Sequence, residues 1–186
     1  MITATDLKNG TSFILDGNPH RVLKYTHQKI GRGGANVKLT LRNLQTGSLV
    51  EKTFSPHHKF DEISTAKRSL QFLYRDDNHA VFIDPQSYEQ VEIPHAVVGD
   101  DINYIKEGQD IDILFWGDKP LSVEIPSKVK LRVTETTPGV KGNSATNIFK
   151  SAKLENGLEV KVPLFVKKND YLHIDTRTGE YLERVS

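Results

Sequence analysis

Lys29-Ile30-Gly31-Arg32-Gly33-Gly34-Ala35 lies between two strand-like runs. Arg21-Val22-Leu23-Lys24-Tyr25-Thr26-His27 precedes it, and Asn36-Val37-Lys38-Leu39-Thr40-Leu41-Arg42-Asn43-Leu44 follows. Three glycines in four positions free the backbone to take φ > 0 and to approach another surface closely. They bury nothing, so the long side chain among them, Arg32, must point into solvent or into a partner. The segment reads as a hairpin that presents one guanidinium at its tip. In the second strand, alternation sets Lys38, Thr40 and Arg42 on one face and Val37, Leu39 and Leu41 on the other. The apolar face packs a barrel. The other, with Lys24 and Lys29 from the first strand, can meet phosphates, although the same pattern suits the solvated face of any barrel hairpin.

Turn signals recur along the chain, at Lys8-Asn9-Gly10, Asp16-Gly17-Asn18-Pro19, Gln45-Thr46-Gly47, Trp116-Gly117-Asp118, Glu155-Asn156-Gly157 and Arg177-Thr178-Gly179. Between them run β-branched and aromatic stretches such as Ser12-Phe13-Ile14-Leu15 and Ile111-Asp112-Ile113-Leu114-Phe115-Trp116. Short strands at this spacing predict an all-β protein of barrels or sandwiches. The best helical pattern, Pro94 to Ile102, is long enough for one or two turns. Trp116 borders a hairpin turn and is expected in a barrel core rather than as a base-stacking platform.

Charge divides the chain into thirds. Residues 1–64 carry 9 Lys+Arg against 5 Asp+Glu, net +4; residues 65–126 carry 5 against 12, net −7; residues 127–186 carry 11 against 7, net +4. The sign flips near Ile63-Ser64-Thr65-Ala66 and again near Ile125-Pro126-Ser127-Lys128, which predicts three domains at 1–64, 65–126 and 127–186. Two basic ends can lie on phosphates while an acidic middle stays away, because screening confines each field to roughly 10 Å. In the last third Lys128, Lys130 and Arg132 alternate with Val129, Leu131 and Val133, and Lys141, Lys150 and Lys153 are further candidate RNA contacts.

The 186 residues contain no cysteine, which excludes disulfides, thiolate metal sites and cysteine nucleophiles and suits a reducing cytosol. The N-terminus lacks an apolar leader, and no stretch approaches the roughly eighteen apolar residues of a membrane span. A soluble cytoplasmic protein is expected. His57-His58 lacks metal-ligand spacing and is expected to be structural or exposed. Asp100-Asp101 and Asp110/Asp112 read as a solvated acidic face. Gly31 to Gly34 lacks the ending of a phosphate-binding Walker loop. No acid–base pair, nucleophile elbow or metal set points to an enzyme.

Further segments bear on family. They are Gly31-Arg32-Gly33-Gly34-Ala35, Val37 through Gly47, Glu51-Lys52-Thr53-Phe54, Gln71-Phe72-Leu73-Tyr74, Glu135-Thr136-Thr137-Pro138-Gly139-Val140-Lys141-Gly142, Lys150-Ser151-Ala152, Gly157 through Val166, and Ile174-Asp175-Thr176-Arg177-Thr178-Gly179-Glu180-Tyr181-Leu182. In this order and over nearly the full length, the chain resembles the bacterial elongation factor P family. The resemblance implies an SH3-like (KOW-type) barrel followed by two OB-folds, in an elongated L shaped like tRNA. It implies a monomer that binds the ribosome between the P and E sites, against rRNA and ribosomal proteins near the E site and beside peptidyl-tRNA or initiator tRNA. The tip reaches toward the CCA end, and peptide-bond formation is stimulated where consecutive prolines stall synthesis. No catalytic residue, cofactor or metal is implied, but a tip-modifying enzyme is.

The chain departs from the family pattern at several points. The usual tip residue is lysine; here it is Arg32, and an arginine branch of the family carries a rhamnose instead. The neighbours Gly33-Gly34 look more like the lysine type, and Ile30 stands where a proline often does. Asn169 replaces an expected glycine, and asparagine tolerates φ > 0. Two other readings fit the same barrels: an elongation-factor-P-like paralogue, and a stand-alone OB-fold RNA binder indifferent to Arg32. The eukaryotic and archaeal counterpart is shorter and is disfavoured by length.

Overall fold

The computed structural model describes residues 1–30, 34–138 and 149–185. These residues form sixteen strands in three antiparallel sheets, with one short helix and one 3-10 segment. The protein is all-β, as the turn spacing predicts.

The first sheet contains β1 (Ile2–Thr3), β2 (Ser12–Leu15), β3 (Asn18–Ile30), β4 (Gly34–Asn43), β5 (Leu49–Phe54) and β6 (Lys59–Ile63), in the order β1-β6-β2-β3-β4-β5. Its core gathers Phe13, Val22, Val37, Leu39, Leu41 and Phe60, and the rings of Phe13 and Phe60 lie 4.3 Å apart. Val37, Leu39 and Leu41 are fully buried, the apolar half of the alternation read from the sequence. Truncating a leucine in such a position to alanine costs about 2–5 kcal/mol. His58 is an exposed ring packed against Phe54 and Phe60, with centroids 5.1 and 4.7 Å away.

The second sheet contains β7 (Thr65–Arg75), β8 (His79–Ile83), β9 (Gln90–Pro94), β10 (Asp110–Trp116) and β11 (Lys119–Glu124), in the order β11-β10-β7-β8-β9. Helix α1 (His95–Val98) and a 3-10 segment (Gly99–Tyr104) follow β9, matching the short helical stretch expected there. Both sheets fall in one compact unit, Met1–Val98 with Asp110–Glu124. Within it Leu44, Leu114 and Leu121 form a small apolar cluster, and Arg21 donates to Ser12 Oγ at 3.3 Å and to Thr65 Oγ1 at 3.0 Å. Trp116 corrects the sequence reading. It ends β10 at 37% exposure, while Ile111, Ile113 and Phe115 fill the core, because the buried run stops one residue short of the turn.

The second unit combines Gly99–Gln109 with the chain from Ile125 onward. Its sheet contains β12 (Lys128–Thr136), β13 (Phe149–Leu154), β14 (Glu159–Pro163), β15 (Tyr171–Asp175) and β16 (Tyr181–Arg184), in the order β14-β13-β12-β15-β16. Leu131, Val133, Leu154, Val162, Val166, Leu172 and Ile174 build its core, with Tyr104 packed against it. Asn156 Nδ2 donates to the Asn103 carbonyl at 3.0 Å, and Lys106 Nζ meets Glu155 at 2.8 Å. The 99–109 segment is thus fastened by side chains as well as by packing. Asn169 takes φ 70°, the left-handed turn anticipated for it, and its N–H donates to the Val133 carbonyl at 2.9 Å.

Candidate nucleic-acid interface

The β3–β4 hairpin outruns the rest of its sheet. β2 pairs with β3 only from Asn18 to Arg21, and β5 pairs with β4 only as far as Val37. β3 and β4 stay paired beyond that, through Gln28↔Asn36, Lys29↔Ala35 and Ile30↔Gly34. Three rungs of two-stranded ribbon extend past the third strand, about 10 Å at the usual rise per residue. Gly31, Arg32 and Gly33 lie outside the described residues, as do the side-chain surroundings of Lys29 and Gly34.

The polar face of this hairpin carries Lys24, Lys38 and Arg42 together. Lys24 pairs with Thr40, Thr26 with Lys38 and Arg21 with Arg42, in a register shifted by a bulge between Val22 and Lys24. β5 adds an acid to that face. Glu51 lies opposite Thr40, takes an ion pair from Lys38 Nζ at 2.8 Å and accepts from Thr40 Oγ1 at 3.3 Å. The hydrogen bond and charge of Lys38 hold the Glu51 carboxyl below its ordinary range, with smaller help from Thr40 and Lys24. Lys24 and Arg42 are exposed, and their side chains form no hydrogen bond or ion pair with a described residue.

On the third sheet Lys128, Lys130 and Arg132 share the outer face of β12, while Leu131 and Val133 are buried beneath. The pairing Lys128↔Asp175, Lys130↔His173 and Arg132↔Tyr171 places β15 beside them. Lys130 Nζ sits 4.6 Å from the centre of the Tyr171 ring. Glu183 of β16 bridges His173 Nδ1 at 2.8 Å and Lys128 at 3.5 Å, and these partners, His173 first, hold its carboxyl below the usual range.

Lys150 and Lys153 stand on the neighbouring strand β13. Lys150 and Lys153 fall on opposite sides of β13, since they differ by an odd number of residues. Lys150 lies on the side of buried Ala152 and Leu154, and its Nζ donates to the Thr137 carbonyl at 2.6 Å. Lys153 is exposed between Glu135 and Glu159, its neighbours on β12 and β14. Lys141 lies outside the described residues. Sequence reading missed Tyr171. The signal was present, because Tyr171-Leu172-His173-Ile174 alternates outward and inward as cleanly as β12 does.

Among the described residues no group of three His, Asp or Glu side chains could hold a metal ion, and no helix is long and apolar enough to cross a membrane.

Comparison with known proteins adds the family. The KOW-like domain of elongation factor P matches residues 3–60, the OB domain of elongation factor P residues 65–123, and the elongation factor P C-terminal domain residues 129–184. The chain is 44% identical over 184 residues to an elongation factor P of Synechococcus sp. (strain JA-2-3B'a(2-13)), covering 99% of this chain and 100% of that one. It is 43% identical over 185 residues to one from Clostridium kluyveri, covering 100% of both. A solved structure of a translation initiation factor eif-5a family protein from Naegleria fowleri is similar at a TM-score of 0.50 and 15% identity, covering 67% of this chain and 96% of that one. That last likeness concerns the fold alone. With relatives so similar along their whole lengths, the chain belongs to the elongation factor P family.

Proposed function

We propose that this translation elongation factor acts in the cytoplasm on ribosomes stalled at consecutive prolines. It binds as a monomer beside peptidyl-tRNA or initiator tRNA, between the P and E sites, and delivers Arg32 toward the CCA end. The observation that carries this reading is the ribbon beyond β5, a support for a guanidinium that must reach past its own barrel. The cationic faces of the first and third sheets are the surfaces offered to rRNA and tRNA phosphates, and the three modules are 1–64, 65–126 and 127–186.

No nucleophile is required for such a role. Peptide-bond formation needs amine and ester in near-attack geometry, and prolyl substrates sit poorly there. Fixing the CCA end lowers the barrier by positioning, and each 1.4 kcal/mol recovered is about tenfold in rate. Arg32 supplies a permanent charge and five donors for phosphate, ribose or base edges. Rhamnosylation of Arg32 by a tip-modifying enzyme would lengthen its reach and add hydroxyl groups.

The test is Arg32→Ala in a strain that reports translation through Pro-Pro-Pro. The variant folds within about 0.5 kcal/mol of the parent, as surface turn changes usually do, and fails to relieve the stall. Full relief by the variant would remove the tip from the mechanism. Intact mass of protein from its native cell, followed by peptide fragmentation, reads the modification as one deoxyhexose on Arg32.

A further inference from the structure

Three turns of this molecule share one design. In each, an Asn or Asp side chain accepts from the N–H two residues on. Asn43 Oδ1 takes Gln45 at 2.9 Å and Thr46 at 3.0 Å; Asp84 Oδ1 takes Gln86 at 2.8 Å and Ser87 at 3.2 Å; Asp175 Oδ1 takes Arg177 at 2.8 Å, and its carboxylate also accepts from the Thr178 N–H. The first residue's carbonyl then accepts from the fifth, and its N–H donates to the sixth, at 2.8–2.9 Å in all three turns. The fifth residue is left-handed each time: Gly47 at φ 74°, Tyr88 at 60° and Gly179 at 75°. A hydroxyl at the fourth position, on Thr46, Ser87 or Thr178, accepts from the sixth N–H at 3.3 Å.

They differ at the third position. Gln45 and Gln86 do not reach back to the Asn or Asp side chain, so the turn closes without such a contact. Arg177 does reach back, with Nε 3.2 Å from Asp175 Oδ1 and Nη2 2.8 Å from Oδ2. The Asp175 side chain is 13% exposed while that of Arg177 is 75% exposed. So exposed an ion pair adds little to stability, and the turn is already made by backbone bonds that the other two copies also have. What the fork does is hold a guanidinium still. Its Nε/Nη2 edge is occupied, which leaves the Nη1/Nη2 edge, three N–H donors, facing out. That edge matches a phosphate bidentately, and the side-chain freedom normally lost on binding is already gone. The turn starts at the end of β15, where Asp175 lies opposite Lys128, the first cation of the β12 face.

We propose that Arg177 is a prepositioned RNA-phosphate contact of the third sheet, extending the Lys128–Lys130–Arg132 face; this rests on the reading of that face as an RNA surface. Because the Asp175–Arg177 pair is neutral, its contribution comes from directed hydrogen bonds rather than from net charge. That makes the proposal separable from simple attraction.

The test titrates full-length protein with 70S ribosomes carrying initiator tRNA in the P site, at several salt concentrations. The variants are Arg177→Gln, which installs the residue of the other two turns, and Asp175→Asn, which installs the side chain that already closes the Asn43 turn. Arg177→Gln is expected to weaken binding about tenfold with the fold retained and only a small drop in melting temperature, the scale of one exposed ion pair. Asp175→Asn is expected to weaken it about threefold although it removes a negative charge, because the guanidinium loses its anchor. Tighter binding by Asp175→Asn, parental binding by Arg177→Gln, or loss of the fold in Arg177→Gln would each overturn the proposal; the last would make the guanidinium a support for its own turn. A Lys128/Lys130/Arg132 triple alanine variant separates the two layers. If it weakens binding while Arg177→Gln does not, only the Arg177 contact falls. If neither does, the RNA face falls with it.

Discussion

The cationic faces of the first and third sheets look alike on paper and differ in what stands beside them. On β4, Lys38 and Arg42 alternate over a buried valine and two leucines, and on β12 Lys128, Lys130 and Arg132 alternate over a buried leucine and valine. The strand next to β4 contributes Glu51, which ties up Lys38 at 2.8 Å. The strand next to β12 contributes Tyr171, which lies under Lys130. Each region also holds a copy of the same turn. The one after β4 opens with neutral Asn43, and the one after β15 with charged Asp175. Both regions have charge partly cancelled in place, by Glu51 on Lys38 and by Glu183 on Lys128, and the first offers point charges alone. The other offers charge backed by an aromatic plane and a fixed guanidinium.

The largest expected effect probes that plane. Tyr171→Ala should weaken binding to ribosomes carrying P-site tRNA by about 1–3 kcal/mol, the range for an aromatic stacked on a base, with the melting temperature nearly unchanged because the ring is 43% exposed. Equal binding by the variant and the parent would reduce the third face to point charges like the first and erase the contrast.

Next in size are the two turn glycines. Gly47 and Gly179 hold the same left-handed conformation, at φ 74° and 75°. Alanine at either should cost about 1–2 kcal/mol in chemical denaturation, since an L side chain is disfavoured there. The cost should be somewhat greater at Gly179, where the added Cβ would meet Tyr104 Oη at 3.4 Å, whereas at Gly47 it would meet nothing within 4 Å. A cost at Gly47 well above that at Gly179 would break the equivalence of the turns.

How far these regions could be read from sequence follows from what periodicity encodes. Alternation within a strand assigns faces, and it did so correctly for Val37 through Arg42 and for Lys128 through Val133. It says nothing of which strand lies alongside, so the outward side of Tyr171 could be read from its own alternation, but neither its place beside Lys130 nor that of Glu51 beside Lys38 could. Parity also separates Lys150 from Lys153, three residues apart and so on opposite sides of β13. The turns at Gly47 and Gly179 were legible because glycine marks a left-handed position. The third copy was not, because Tyr88 occupies that position, an aromatic residue at φ 60°. The all-β class and the short helix after Pro94 were plain from spacing. The projecting ribbon needed the register, since only pairing partners show where β5 stops.

A smaller effect concerns the acid on the first face. Glu51→Gln frees Lys38 and removes one negative charge among phosphate-facing cations. Ribosome affinity should rise about two- to threefold, the scale of one exposed ion pair, and the salt slope should steepen by about one unit. Unchanged affinity would mean that the first face does not touch phosphate, leaving the tip as that module's contact.

The last difference is silent at neutral pH. Arg177, through its side chain and its backbone N–H, holds the Asp175 carboxyl down to about 2, below its ordinary 3.8. A carboxylate whose pKa is depressed on folding stabilises the fold above its unfolded value and loses that contribution as pH falls through the folded one. The parent should therefore melt above Asp175→Asn at pH 5, and the gap should close between about pH 4 and pH 2. Asn43 carries no titrating group, so Asn43→Ala should show a gap from its parent that does not depend on pH over the same range. A gap for Asp175→Asn that persists unchanged at pH 2 would mean that the two turns are held alike, by amide-type acceptance alone, and that the fork on Arg177 adds nothing to the charge state of its anchor.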